Sequence, residues 1–350
     1  MTQEADAVVI GAGPIGLFQV FQLGLQGIHA HVIDALPHPG GQCVELYADK
    51  PIYDIPGVPV CAGRELAARL QQQIEPFHAQ WHLGTQVSAL TVQDDGRLRV
   101  KTSRGDELLA RTVFIAAGVG AFVPRTLKLE GIERFVGTQV HYQQLPPGLD
   151  ASRQHVVVQG GDEAAVALAL SLAHGLGGGC GRVSLLHRRD AFQAPGALLE
   201  QLADLRARGG VEVVVGQPAG LQATGERLDA LELLAPDGTT QRLPLDLLVP
   251  VLGLSPRLGP IADWGLAMER KQLVVDTATF RTSVPGIYAV GDIVTYPGKR
   301  KLILCGFHEA TLAAFGAAEH LSGGPVATQY TTTSSRLLER LGVQTPSDSA

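Results

Sequence analysis

Val8-Val9-Ile10-Gly11-Ala12-Gly13-Pro14-Ile15-Gly16, close to the start of the chain, decides the reading of the fold. The short β-branched run reads as a buried parallel strand, and residues 17–25 read as the helix that follows it. Residues 29–33 are the next strand, ending at Asp34. That is a complete βαβ unit. Each glycine answers a separate physical need. Gly11 makes the tight turn, Gly13 lets backbone amides approach a pyrophosphate, and Gly16 lets helix pack on strand. The helix N-terminus stabilises a diphosphate. Asp34 stands 18 residues past Gly16 (34 − 16), where a carboxylate accepts hydrogen bonds from an adenosine ribose.

The pattern recurs about 148 residues later (159 − 11). Residues 155–158 read as a strand, Gln159-Gly160-Gly161-Asp162-Glu163-Ala164 as a turn, and residues 165–174 as a helix. In this reading Gln159 stands at the first glycine position, with Gly161 and Ala164 at the third and sixth. The next strand ends not in an acid but in His187-Arg188-Arg189. Paired guanidiniums bind a ribose 2′-phosphate that a carboxylate would repel, so this site reads as one for NADP.

Length and composition agree with two such units. At ~150 residues per domain, 350 residues make two domains. The 45% apolar fraction excludes a disordered chain, and the net charge of −6 gives no pull toward nucleic acid or anionic membrane. No run of 18 apolar residues occurs, so no membrane span is expected. The acidic start lacks a basic-then-apolar leader, and Cys43, Cys61, Cys180 and Cys305 contain no CxxC pair. A cytoplasmic setting is expected, with neither a metal site nor a local dithiol. The expected class is therefore α/β: two Rossmann-like three-layer dinucleotide-binding domains, the second inserted in the first. The first comprises residues 1–119 and 253–350, and the second residues 120–252, with hinges at 118–122 and 249–253.

Longer stretches carry a resemblance. They are Gly40-Gly41-Gln42, Leu46-Tyr47, Tyr53-Asp54, Ala116-Ala117-Gly118, Val140-His141-Tyr142, His187-Arg188-Arg189-Asp190-Ala191-Phe192 and Gly286-Ile-Tyr-Ala-Val-Gly291-Asp292-Ile-Val-Thr-Tyr296-Pro-Gly298-Lys-Arg-Lys301-Leu-Ile303, followed by Gly306-Phe-His-Glu309. The chain resembles the thioredoxin-reductase-like ferredoxin/flavodoxin–NADP reductases over nearly its whole length. The resemblance implies FAD on the first domain, held by Gly11, Gly13, Pro14, Gly16, Asp34, Gly41, Gln42, Tyr47, Tyr53, Val87, Ala117, Gly118, Phe122, Gly291, Asp292, Lys301 and Ile303. Tyr47 is implied to stack on one flavin face and Asp292 to bond ribityl or phosphate oxygens; Tyr330 is the candidate for the second face. NADP(H) is implied on Gly160, Gly161, Asp162, Glu163, Ala164, His187, Arg188 and Arg189. The flavin performs the chemistry, so no catalytic acid or base is expected.

Thioredoxin reductase proper has its CxxC just after the segment matching Val140-His141-Tyr142. Here Gln143-Gln144-Leu145-Pro146 follows, with no sulfur. An external one-electron acceptor, ferredoxin or flavodoxin, is the implied partner, and a homodimer the implied assembly. Lys299, Arg300 and Lys301 form a basic stretch read either as a docking patch for an acidic partner or as a solvated loop. Three alternatives stay open on the residues alone: a disulfide reductase using Cys43 or Cys305, an NAD(P)H oxidase or reductase of quinones or metal ions, and a redox-sensing protein whose second loop is detuned at Gln159.

Overall fold

The computed structural model describes residues 2–146, 148–175 and 181–343, with the backbone alone at 122, 123, 254 and 256. The chain divides into two compact units, residues 1–122 with 256–350, and residues 123–255. The two chain crossings, Ala121–Pro124 and Leu254–Arg257, run as a pair of strands.

In the first unit the strand Thr2–Ile10 pairs in parallel with Ala30–Ile33 on one side and Glu107–Ile115 on the other. Gln80–His82 extends one edge, and Ile287–Ala289 also pairs in parallel with Glu107–Ile115. Val87–Val92 and Leu98–Thr102 add an antiparallel meander. The central strands are apolar on both faces, as a parallel sheet covered on both sides requires. Val8, Val9, Val113, Phe114 and Tyr288 are essentially fully buried. The helix Pro14–Gln26 packs against Gly63–Ile74 and the long helix Ile303–Ser322.

The second unit has a four-stranded parallel sheet in the order Glu212–Val215, Arg182–His187, His155–Gln159, Leu247–Pro250. Alternate residues of these strands feed two cores. Val156, Val158, Val183, Leu185 and Val249 pack with the helices Glu163–Ala173 and Gly196–Ala207. Val157, Leu186 and Leu248 face an antiparallel layer of Gln217–Thr224, Arg227–Leu234 and Thr240–Pro244. The period-two side-chain alternation of strands thus builds the three layers directly.

Candidate functional sites

The parallel strands of the first unit end together, and a cleft opens beyond their carboxyl ends. That is where ligands bind in open α/β sheets. Ile10 and Gly11, Ile33 and Asp34, Ala116 to Gly118, and Gly291 and Asp292 line it, each pair or run at the carboxyl end of a different strand.

Two of the three loop glycines are required by the protein itself. Gly11 has φ +109°, and a Cβ there would stand 2.4 Å from the Ala116 carbonyl oxygen. A Cβ on Gly16 would meet the Gly11 carbonyl oxygen at 1.8 Å, so Gly16 serves helix–strand packing and does not line the cleft. Gly13 differs. Its φ is −69°, accessible to any residue, and a Cβ would find nothing nearer than the Gly41 Cα at 3.9 Å. The fold leaves this space open on the cleft side of the helix N-terminus, which fits the approach of a dinucleotide pyrophosphate.

The Asp34 carboxylate organises the same loop. Its Oδ2 accepts the Ala12 amide at 2.5 Å and its Oδ1 the Leu36 amide at 2.8 Å. Burial pushes its pKa above the ordinary carboxylate value, against the two amide bonds that pull it down. Tyr47 lines the cleft with its hydroxyl 3.5 Å from the Cys43 sulfur, and burial raises the phenol, keeping it protonated.

The far wall is pinned by Glu309, which sequence reading places only inside a motif. This fully buried carboxylate on the helix Ile303–Ser322 accepts the Gly291 amide at 2.7 Å and the Tyr296 hydroxyl at 2.7 Å, and pairs with the Lys299 ammonium. The Gly291-Asp292 turn and the loop at 296–299 are thereby tied to one helix. Lys299 is accordingly neither a docking residue nor a solvated one: its side chain is 8% exposed. Arg300 and Lys301 remain exposed, and Lys301 reaches the cleft.

Of the residues expected around FAD, the structure brings Gly11, Gly13, Pro14, Asp34, Gly41, Gln42, Tyr47, Val87, Ala117, Gly118, Gly291, Asp292, Lys301 and Ile303 to this cleft. Tyr53 and Tyr330 are not brought to it; they are 70% and 68% exposed. Tyr53 follows Pro51–Ile52, one arm of a small two-stranded surface sheet, and Tyr330 opens the turn that precedes the C-terminal helix. The Phe122 side chain lies outside the described residues, as does Cys180. Residues that sequence reading misses include Thr85, Gln86, Ile261 and Trp264. The Thr85 amide donates to the Asp34 carbonyl at 2.8 Å, a link invisible without the strand pairing. Cys43, Cys61 and Cys305 are free thiols.

The second unit repeats the architecture with a shift of one residue. Gln159 pairs with Leu186 as Ile10 pairs with Ile33, and the Gly160 amide donates to Leu186 at 3.0 Å as Gly11 donates to Ile33 at 2.8 Å. A Cβ on Gly160 would meet the Val251 carbonyl oxygen at 2.4 Å, the counterpart of the Gly11 contact with Ala116. Gly160, not Gln159, is therefore the turn glycine; Gln159 is the last strand residue and does not have positive φ. The residue in the place of Gly13 is then Asp162, which caps its helix by accepting the Ala165 amide at 3.0 Å. The reading of Gln159 as a substituted glycine is corrected by the ladder register. His187 fills the space beside Gly161 and holds its Nδ1 2.9 Å from the Arg189 carbonyl oxygen. Arg188 and Arg189 are exposed and form no ion pair among the described residues, which fits donors held in reserve for a 2′-phosphate.

Two glycine-loop βαβ units, one inserted in the other, define a two-domain dinucleotide-binding fold. The chain belongs to the family described as pyridine nucleotide-disulphide oxidoreductase, which it matches over residues 5–310. It is 65% identical over 344 residues to a protein of Verminephrobacter eiseniae named ferredoxin–NADP reductase, covering 97% of each chain. It is 64% identical over 347 residues to one of the same name from Paracidovorax citrulli, covering 97% of this chain and 96% of that one. Among solved structures, a thioredoxin reductase from Gloeobacter violaceus superposes with a TM-score of 0.55 at 21% identity, over 94% of this chain and 97% of that one. That of T. acidophilum gives 0.54 at 20%, over 91% and 99%. The fold is thioredoxin-reductase-like.

Proposed function

We propose that this chain is an FAD-dependent ferredoxin–NADP reductase, with FAD on the first unit and NADPH on the second. The observation that carries the reading is the end-to-end identity of 65% to a protein of that name. The open cradle at Gly13, and Arg188 and Arg189, exposed and without an ion pair among the described residues, support it. Bound flavin would supply the redox chemistry, taking hydride from NADPH and releasing electrons singly. The chain's own residues bind and orient. The Gly13 amide and the helix Pro14–Gln26 would face the diphosphate, Asp34 the adenosine ribose and Asp292 the ribityl chain, while Glu309 holds the turn bearing Asp292. Arg188 and Arg189 would select the 2′-phosphate.

With no CxxC in the sequence, the electrons need an external acceptor, for which ferredoxin or flavodoxin is proposed. No helix among the described residues is long and apolar enough to cross a membrane. A cytoplasmic homodimer completes the proposal.

The test is an absorption spectrum of the purified protein, then anaerobic addition of NADPH or NADH, then ferredoxin or flavodoxin. The expected result is a flavin band that bleaches at far lower NADPH than NADH and recovers when either acceptor is added. A flavin that neither nucleotide bleaches, or that passes electrons only to a disulfide, overturns the reading.

A further inference from the structure

A second cavity, of about 580 Å³, lies in the first unit and shares no lining residue with the cleft. Its volume falls in the range of small-molecule sites. The C-terminal ends of the helices Pro14–Gln26 and Ile303–Ser322 open into it, and the helix Ser335–Arg340 closes one side. Leu25, Phe315, Ala318 and Leu321 give it an apolar wall.

The polar lining is cationic although the chain as a whole carries −6. Arg111, Arg336 and Arg340 face one carboxylate, Asp6, which Arg111 approaches only to 3.6 Å. Arg111 and Arg340 are engaged structurally, donating to the helix-terminal carbonyls of Leu321 and Leu25. Arg336 is not: it stands exposed at the rim and among the described residues makes no ion pair or hydrogen bond. It stands one turn before Arg340 on the same helix, a like-charge spacing that mildly disfavours the helix. Glu339, the adjacent acid, does not line the cavity.

We infer that this cavity is a binding site for a small amphiphilic anion, its head taken by Arg336 with Arg340 and its apolar chain laid along Leu25, Phe315 and Leu321. The site is independent of the redox reading.

Isothermal titration of the flavin-saturated, full-length protein with decanoate tests it, with decanol and inorganic phosphate as tail-only and head-only probes. Decanoate is expected to bind once per chain. Arg336→Glu is expected to weaken it about tenfold or more, and Arg336→Lys to retain most of the affinity. Both variants keep the flavin spectrum and its bleaching by NADPH, since Arg336 lies outside the cleft. Absence of saturable decanoate binding, equal binding by Arg336→Glu, or equal affinity for decanol or phosphate overturns the inference.

Discussion

Lys299 and Glu309 meet inside the first unit, the ammonium 8% and the carboxylate 0% exposed, with the Tyr296 hydroxyl and the Gly291 amide completing the carboxylate's partners. Removing one charge of such a pair leaves the other uncompensated away from water. Glu309→Gln is expected to destabilise the protein by about 3–5 kcal/mol. The double variant Lys299→Met/Glu309→Gln should recover a large part of that loss. Urea unfolding of the native protein, of each single variant, Glu309→Gln and Lys299→Met, and of the double variant checks it, and additive losses would mean that the pair is not coupled.

The two glycines of the first loop should separate stability from ligand binding. Gly13→Ala meets no protein atom within 3.9 Å at an ordinary φ. The ligand-free protein should keep its stability or gain about 0.4–1 kcal/mol, because the unfolded chain loses freedom. FAD affinity should nevertheless fall about tenfold or more, since the methyl group fills the diphosphate's approach. Gly11→Ala, with φ +109° and a 2.4 Å clash, should lower stability outright. Thermal unfolding with and without FAD distinguishes the two.

Asp34 gives a pH dependence whose sign is fixed by burial. Its native pKa lies above the ordinary value, so between the two values the folded state binds more protons than the unfolded one. This group's contribution to stability therefore improves as pH falls through that window. FAD binding should move the other way, because on the proposed reading ribose hydroxyls would donate to the ionised carboxylate. Fluorescence titration of FAD against pH should show affinity falling on acidification through the raised value, and Asp34→Asn should flatten that dependence.

Asp162 occupies the place that Gly13 holds in the first loop, which sets a carboxylate where a diphosphate would approach the helix. Asp162→Asn keeps a capping side chain and removes the charge. NADPH should bind several-fold more tightly to that variant, by roughly the weight of one charge interaction. Unchanged affinity would place the diphosphate away from this helix end.

Arg188→Ala should reduce the preference for NADPH over NADH, leaving NADH-dependent bleaching of the flavin nearly unaltered. The ratio of half-saturating concentrations measures it. Retained preference would transfer 2′-phosphate recognition to Arg189 alone.

Both βαβ units, the Gly11 loop and Asp34 are legible in the chain because local period and turn chemistry specify them. The second loop is legible only to within one residue. Two adjacent glycines, Gly160 and Gly161, satisfy a glycine pattern in either frame, and the strand ladder from Gln159 to Leu186 decides between them. Lys299 escapes sequence reading for another reason. Three consecutive basic residues look alike in sequence, and the acid that draws one of them inward sits 10 residues on, on a helix facing back across the loop. The lining by Thr85 and Trp264 depends on distant segments meeting, for which no local pattern exists.

The space beside Gly13 has a bearing on descent. Folding alone holds Gly11 and Gly16 in place, but nothing in the packing holds Gly13. A lineage that ceased to load this cleft would lose its glycine at 13 while those at 11 and 16 endured. The residue at that one position is thus a record of whether the cleft is still in use.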